Sequence, residues 1–134
     1  MFKYVGNFIS DSQPVENKYI GTDNEAYTIG EVVTFSSGKL TKAGLDSDTK
    51  NQDYVTIKAQ GAESTAETPI PVKKTTKYDI YETKASGQIT AVGSAYELNE
   101  GADGITTTTT KGVFTVIETD GATESTVKGY FLYA

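Results

Sequence analysis

The chain has 134 residues and a mass of 14.4 kDa, which suits a single domain that can bury a sizeable core. It contains no cysteine and no histidine, so disulfides, thiolate or imidazole metal sites and most general-base chemistry are excluded. The formal net charge is −6, and every basic residue is a lysine. Without the bidentate guanidinium fork of arginine, an acidic protein is a poor ligand for nucleic acid.

Residues 1–26 carry aromatic and aliphatic side chains without a periodic face. Two interpretations stay open: an arm that lies on its own domain or on a partner, or the first strands of the same domain. The first interpretation divides the chain into an N-terminal arm, residues 1–26, and a single β-domain, residues 27–134. If the arm reaches a partner, its candidate contact residues are Phe2, Tyr4, Phe8, Ile9, Tyr19 and Ile20.

The next segments have strand patterns. Residues 27–43 predict a β-hairpin, because Val33 and Phe35 alternate with Thr34 and the stretch 36–38 supplies turn residues. Residues 54–59 alternate apolar and polar side chains, which indicates a half-buried strand. Residues 69–72 contain two prolines and predict only an edge strand or a bulge, since proline cannot donate into a central ladder.

Four further strands are predicted, at residues 77–83, 105–110, 113–118 and 127–133. The strand at 105–110 consists of Ile105 and five threonines and suits a solvated edge. No apolar helical period is sustained beyond about three turns. Eight to ten short strands with frequent turn signals predict an all-β protein, either a small antiparallel barrel or a sandwich.

Two parts of the chain are similar to each other. Residues 29–35 match residues 92–98, and residues 54–62 match residues 114–122. The period of about 60 residues exceeds that of solenoids, and two copies are too few for one. We therefore predict two pseudo-repeated halves, about residues 29–72 and 92–131, that close on one core.

Acidic loops are the strongest candidates for a metal site. A calcium loop needs spaced oxygen ligands, a glycine at its sixth position and a glutamate at its twelfth. In residues 46–53 the fifth position is Lys50, the sixth is not glycine, and the twelfth would be Ile57. We interpret this stretch as a solvated loop. The same interpretation applies to a second acidic loop with Glu97, Glu100 and Asp103.

No catalytic, cofactor-binding or metal site is predicted. Residues 38–41 are similar to part of a phosphate loop but lack its upstream glycine and its Lys-Ser/Thr pair, and the hairpin explains them. No acid lies in the strongly apolar context that paired-carboxylate catalysis requires. The N-terminus is too polar for a signal peptide, and no apolar run could span a membrane. We therefore expect synthesis in a cytoplasm.

Residues 27–43 resemble the opening hairpin of small head-decoration (capsid cement) proteins of tailed bacteriophages. The later segments 70–72, 80–83, 92–93, 112–117 and 127–131 follow in the order that such proteins show. The resemblance covers residue 27 to the end and carries no catalytic signature. It implies a non-enzymatic virion protein on the capsid exterior that binds the major capsid protein and stabilises contacts between its subunits. A homotrimer is the candidate arrangement, with no cofactor, nucleic acid or membrane partner.

Two alternative functions remain open. Nine tyrosines would also suit a head fibre or receptor-binding β-module that recognises host surface glycans, since exposed aromatic rings stack on sugars. The absence of tryptophan weakens that alternative. A small hydrolase would need a cleft of converging carboxylates, for which the sequence offers no signal.

Overall fold

The computed structural model describes residues 1–11, 13–44 and 51–134. These residues form ten β-strands and no helix, which confirms the all-β prediction. The strands are short, and turns with glycine or polar residues separate most of them. Their bounds are β1 Lys3–Asn7, β2 Glu16–Ile20, β3 Val32–Ser36, β4 Lys39–Lys42, β5 Tyr54–Thr56, β6 Pro69–Lys74, β7 Asp79–Lys84, β8 Ala95–Tyr96, β9 Phe114–Thr119 and β10 Thr126–Phe131.

The strands form two antiparallel five-stranded sheets. The N-terminal sheet has the order β2-β6-β5-β3-β4, and the C-terminal sheet has the order β1-β7-β10-β9-β8. This arrangement agrees with the sandwich alternative and differs from one closed barrel. Each sheet is built from one half of the chain, except that β1 crosses over and pairs with β7.

The two matched parts of the sequence have the same strand pairing. β3 pairs with β5 in the N-terminal sheet, and the matching strands β8 and β9 pair in the C-terminal sheet. β5 and β9 then pair with β6 and β10 on their other sides. The registers also correspond: Val32 faces Val55 as Ala95 faces Thr115, and Val33 faces Tyr54 as Tyr96 faces Phe114.

Isolated parallel bridges add to the pairing within each half of the chain. A parallel bridge joins Gly21 to Leu40 in the N-terminal sheet, and another joins Ala85 to Ile105 in the C-terminal sheet. In the first, the Tyr27 hydroxyl donates to the Leu40 carbonyl at 2.8 Å. A Cβ at Gly21 would lie 2.6 Å from the Tyr27 ring, so the ring occupies the space that a side chain would need.

The larger core cluster lies mainly on the C-terminal sheet. Its centre is a set of rings from Phe2, Phe114 and Phe131, whose centroids lie 5.1–5.3 Å apart. Val32 and Val55 of the N-terminal sheet also belong to this cluster and join the two halves. The opposite face of the N-terminal sheet holds the second cluster, formed by Tyr27, Val33, Leu40, Tyr54, Ile70 and Val72.

Residues 1–26 are part of both sheets, and the division into an arm and a separate domain needs correction. β1 pairs with β7 along Lys3–Asn7, and β2 pairs with β6 along Glu16–Ile20. Phe2 is only 3% exposed, and its backbone N–H donates to the carbonyl of Gly30 at 2.8 Å. Backbone pairing and burial of an aromatic ring therefore fix this segment within the fold.

Two strand predictions also need correction. β6, which contains Pro69 and Pro71, lies between β2 and β5 rather than at an edge. The prolines are tolerated in this strand because they lie outside its pairing with β5. Since β5 ends at Thr56, it pairs with β6 only over Val72–Lys74. The threonines after Ile105 form no strand, and only Ile105 itself makes isolated bridges.

In the turn after β9, the carboxylate of Asp120 should stabilise the fold in a pH-dependent way. Asp120 accepts hydrogen bonds from the backbone N–H groups of Ala122 and Thr126, both at 3.0 Å. These bonds, that of Ala122 first, lower the pKa of Asp120. The Asp120 carboxylate therefore stabilises the folded state fully above the ordinary carboxyl pKa of about 4. This stabilisation is lost as the pH falls through the lower pKa that Asp120 has in the folded protein.

We expect Asp120→Asn to lower the urea midpoint at pH 7 because an amide oxygen accepts these bonds without charge. The difference from the parent protein should shrink as the pH falls below about 4. A pH series of urea unfolding curves measures this, with Glu124→Gln as the control at an exposed acid of the same loop. A difference that stays constant from pH 7 to pH 3 would contradict the assignment.

Candidate interaction surface

The six predicted contact residues do not form one surface. Phe8 and Ile9 are exposed by 53% and 69%, whereas Phe2 lies in the core and cannot touch a partner. Tyr4 is half-buried, with its ring edge-on to Tyr81 at 5.9 Å. The remaining two, Tyr19 and Ile20, are half-buried in β2 of the other sheet.

Phe8 and Ile9 belong to what we call the aromatic patch, together with Tyr78 and Tyr130. The patch forms where β1 ends, β7 begins and β10 approaches its last residue. The backbone N–H of Phe8 donates to the carbonyl of Tyr78 at 2.9 Å, and the Phe8 ring meets the Tyr130 ring edge-on at 5.7 Å. Tyr78 is 45% exposed. Large apolar side chains beside the ends of three strands thus lie at one end of the C-terminal sheet.

A hydrogen-bonded turn holds the aromatic patch in place. The Asn7 side-chain oxygen accepts from the backbone N–H groups of Ile9 and Ser10 at 2.8 and 3.1 Å. The Asn7 amide donates to Asp79 at 2.9 Å, and the other oxygen of Asp79 accepts from the Thr76 N–H at 2.9 Å. Because Asp79 is buried, these bonds anchor the turn to β7. A surface ordered before binding loses less entropy when a partner docks.

Tyr78 and Tyr130 were not singled out from the sequence. Tyr130 lies between Gly129 and Phe131, which are both buried, so strand alternation predicts that its ring faces away from the core. Tyr78 precedes the strand that begins at Asp79 and therefore lies outside the ladder. Strand alternation could have identified Tyr130 as a residue that faces away from the core. The proximity of Tyr78 and Tyr130 to Phe8, however, depends on the order of the strands in the sheet.

Tyr19 belongs to a second aromatic group with Phe35 and Tyr54. The centroid of the Tyr19 ring lies 4.5 Å from that of Phe35 and 5.3 Å from that of Tyr54. The Tyr54 hydroxyl donates to the Tyr19 hydroxyl at 3.3 Å, and this bond, with burial, raises the pKa of Tyr54 to about 12. Only Phe35 is clearly exposed, by 40%. This group therefore mainly closes the second core cluster.

The acidic loops have structural roles where the structure describes them. Residues 46–50 of the first loop lie outside the described residues. Asp53 accepts hydrogen bonds from the Thr34 hydroxyl at 2.8 Å and the Phe35 N–H at 3.0 Å. In the second loop, Asp103 accepts from the Asn99 amide at 2.8 Å. Within residues 1–11, 13–44 and 51–134, no group of three or more carboxylates could hold a metal ion.

Comparisons with known proteins do not assign the chain to a family. No family model, curated protein or solved structure matches it. In the described part of the chain, no helix is long and apolar enough to cross a membrane.

Proposed function

We propose that this protein decorates the exterior of a bacteriophage capsid, where it binds the major capsid protein and stabilises contacts between neighbouring subunits. The observation that supports this proposal most is the aromatic patch. Phe8, Ile9 and Tyr78 are exposed by 45–69% on a turn that is already ordered by hydrogen bonds. Aromatic side chains are enriched at the energetic centres of protein interfaces.

The rest of the molecule suits a protein that covers a lattice. Two sheets joined by a shared core give a stiff body, and the net charge of −6 keeps neighbouring copies soluble at high local concentration. On a capsid, many copies bind side by side, so a modest contact per copy still gives a stable shell. A homotrimer would present three aromatic patches and increase this avidity.

The double variant Phe8→Ser with Ile9→Ser tests the proposal. We expect it to bind phage heads at least tenfold more weakly than the parent chain, because it removes both exposed apolar side chains of the turn. Co-sedimentation with heads that lack the native protein measures occupancy against concentration. The matched control is Val92→Ser, which removes a 57% exposed apolar side chain beside the opposite edge of the same sheet, where β8 lies. It should bind like the parent.

Circular dichroism and the thermal midpoint of each variant separate lost binding from lost folding. Undiminished binding of a folded double variant would remove the aromatic patch from the interface. If the parent chain failed to saturate heads at a fixed stoichiometry and instead bound oligosaccharides on a glycan array, the protein would be a receptor-binding module.

A further inference from the structure

A row of charged side chains crosses the outer face of the C-terminal sheet, the face that points away from the core. The registers place Lys3 of β1 beside Glu82 of β7, and Glu82 beside Lys128 of β10. Lys128 in turn pairs with Glu118 of β9. We call these four residues the charged row. Its members on β7 and β10 alternate with buried residues, and Glu82, Lys128 and Glu118 line one open depression of about 300 Å³. The row therefore lies on a single face.

The charges of the charged row alternate in sign from strand to strand. Counted from β1 they are positive, negative, positive and negative, and counted from β9 the order is reversed. Within one copy, the Lys128 ammonium lies 3.5 Å from the Glu118 carboxylate, and the two side chains are 37% and 67% exposed. Both charges therefore remain accessible to a second partner. The row has no net charge, whereas the whole chain carries −6, so a second copy is repelled less at this face than over the acidic remainder.

Two apolar side chains lie beside the charged row on the same face. Ile80 precedes Glu82 by two residues in β7, and Tyr130 follows Lys128 by two residues in β10, so strand alternation puts both on the outer face. Both are half-buried, and the Phe8 ring meets the Tyr130 ring edge-on at 5.7 Å. Apolar surface next to complementary charge suits a protein interface, because burial supplies affinity and charge fixes the orientation.

We propose that a second copy of this chain docks on the outer face of the C-terminal sheet, related by a two-fold axis that runs along the strands between β7 and β10. Such an axis reverses the charged row, so Glu82 faces the partner's Lys128 and Lys3 faces the partner's Glu118. It also sets Ile80 against the partner's Tyr130. An axis across the strands would instead place each charge opposite itself, and like charges in contact repel. The charge pattern therefore selects one orientation.

The contact is small, so the dimer forms only at high protein concentration. Four strands spaced about 4.8 Å apart and about five residues long cover a face of roughly 20 by 17 Å. Two such faces bury on the order of 1,000 Å² in total, at the lower limit of specific interfaces. We expect a dissociation constant on the order of 10–100 µM. Because Tyr130 also belongs to the aromatic patch, dimerisation and the proposed capsid binding exclude each other at this residue.

Sedimentation equilibrium of the full chain, without phage heads, measures the dimer. Glu82→Lys and Lys128→Glu should each weaken it at least tenfold, because each variant sets like charges against each other in its own dimer. An equimolar mixture of the two variants should recover the parent affinity within about threefold, since each changed position then faces the opposite charge. Mixing cannot relieve a repulsion that acts only within one copy, so recovery identifies the contact between copies.

A second pair of variants, Lys3→Glu and Glu118→Lys, lies at the exposed ends of the charged row and should show the same loss and the same recovery. Circular dichroism verifies that every variant is folded. The control is Lys58→Glu, which reverses the charge of an exposed lysine after β5 and should leave the dimer unchanged. Raising NaCl from about 50 to about 500 mM should weaken the parent dimer about fivefold.

Three results would overturn the proposal: a parent chain that stays monomeric at about 500 µM, a parent chain that sediments as a trimer, or mixtures of both variant pairs that stay monomeric. None of these measurements uses phage heads, so the proposal stands or falls independently of capsid binding.

Discussion

Phe2→Ala is expected to reduce the free energy of unfolding by about 4 kcal/mol, a large part of the stability of a domain of this size. The Phe2 ring packs between Phe114 and Phe131 at centroid distances of 5.3 and 5.1 Å, and it is 3% exposed. Its removal leaves a cavity where the two halves of the chain meet and weakens the attachment of β1. Urea unfolding monitored by circular dichroism measures the loss.

Phe8→Ala is the matched control for this prediction. It makes the same chemical change six positions along the chain, but the Phe8 ring is 53% exposed. We expect the control to cost less than about 1 kcal/mol. Equal effects of the two substitutions would contradict the placement of Phe2 in the core. Deletion of residues 1–10 should likewise unfold the C-terminal sheet at its β1 edge, so it cannot serve as a test of binding alone.

Local patterns were sufficient to predict most strands. The alternation of Val33, Thr34 and Phe35 before a glycine turn predicts a hairpin, and the structure has this hairpin, with Phe35 paired to Leu40. The repeat predicted two similar halves, and the matched segments have equivalent strand pairing in the two sheets. Contacts between distant parts of the chain were harder to predict. Nothing local to residues 1–26 shows that β1 joins the sheet made by the other half.

The aromatic patch also depends on long-range pairing that local patterns do not predict. Phe2 and Phe8 look equivalent in a sequence without a periodic face, and only the crossing of β1 to β7 buries the first and exposes the second. The aromatic patch depends on β10 lying next to β7, which brings Tyr130 to Phe8 across about 120 residues of chain. Such contacts follow from sheet order and packing rather than from periodicity.

Gly129 is the position where the repeat alone would mislead. It pairs with Val116 as Val72 pairs with Thr56, and these partners occupy matching places in the two copies. A valine at residue 129 would therefore look acceptable by analogy with Val72. However, the β9–β10 pairing shifts register between Lys128 and Gly129, and this irregularity brings the backbone close. A Cβ at Gly129 would lie 2.0 Å from the Thr115 carbonyl oxygen and 2.7 Å from the Phe114 ring.

Gly129→Ala is therefore expected to cost about 3 kcal/mol or more, and Gly129→Val to prevent folding at 37 °C. The backbone oxygen of Thr115 cannot rotate away as a side chain could, so relief requires β9 and β10 to separate beside Phe114 and Phe131 in the core. Thermal unfolding measures the loss. Gly61→Ala is the control, because nothing lies within 4 Å of its added Cβ, and it should change stability by less than about 1 kcal/mol. If the Gly129→Ala protein were as stable as the Gly61→Ala protein, the close approach of β9 to Gly129 would be wrong.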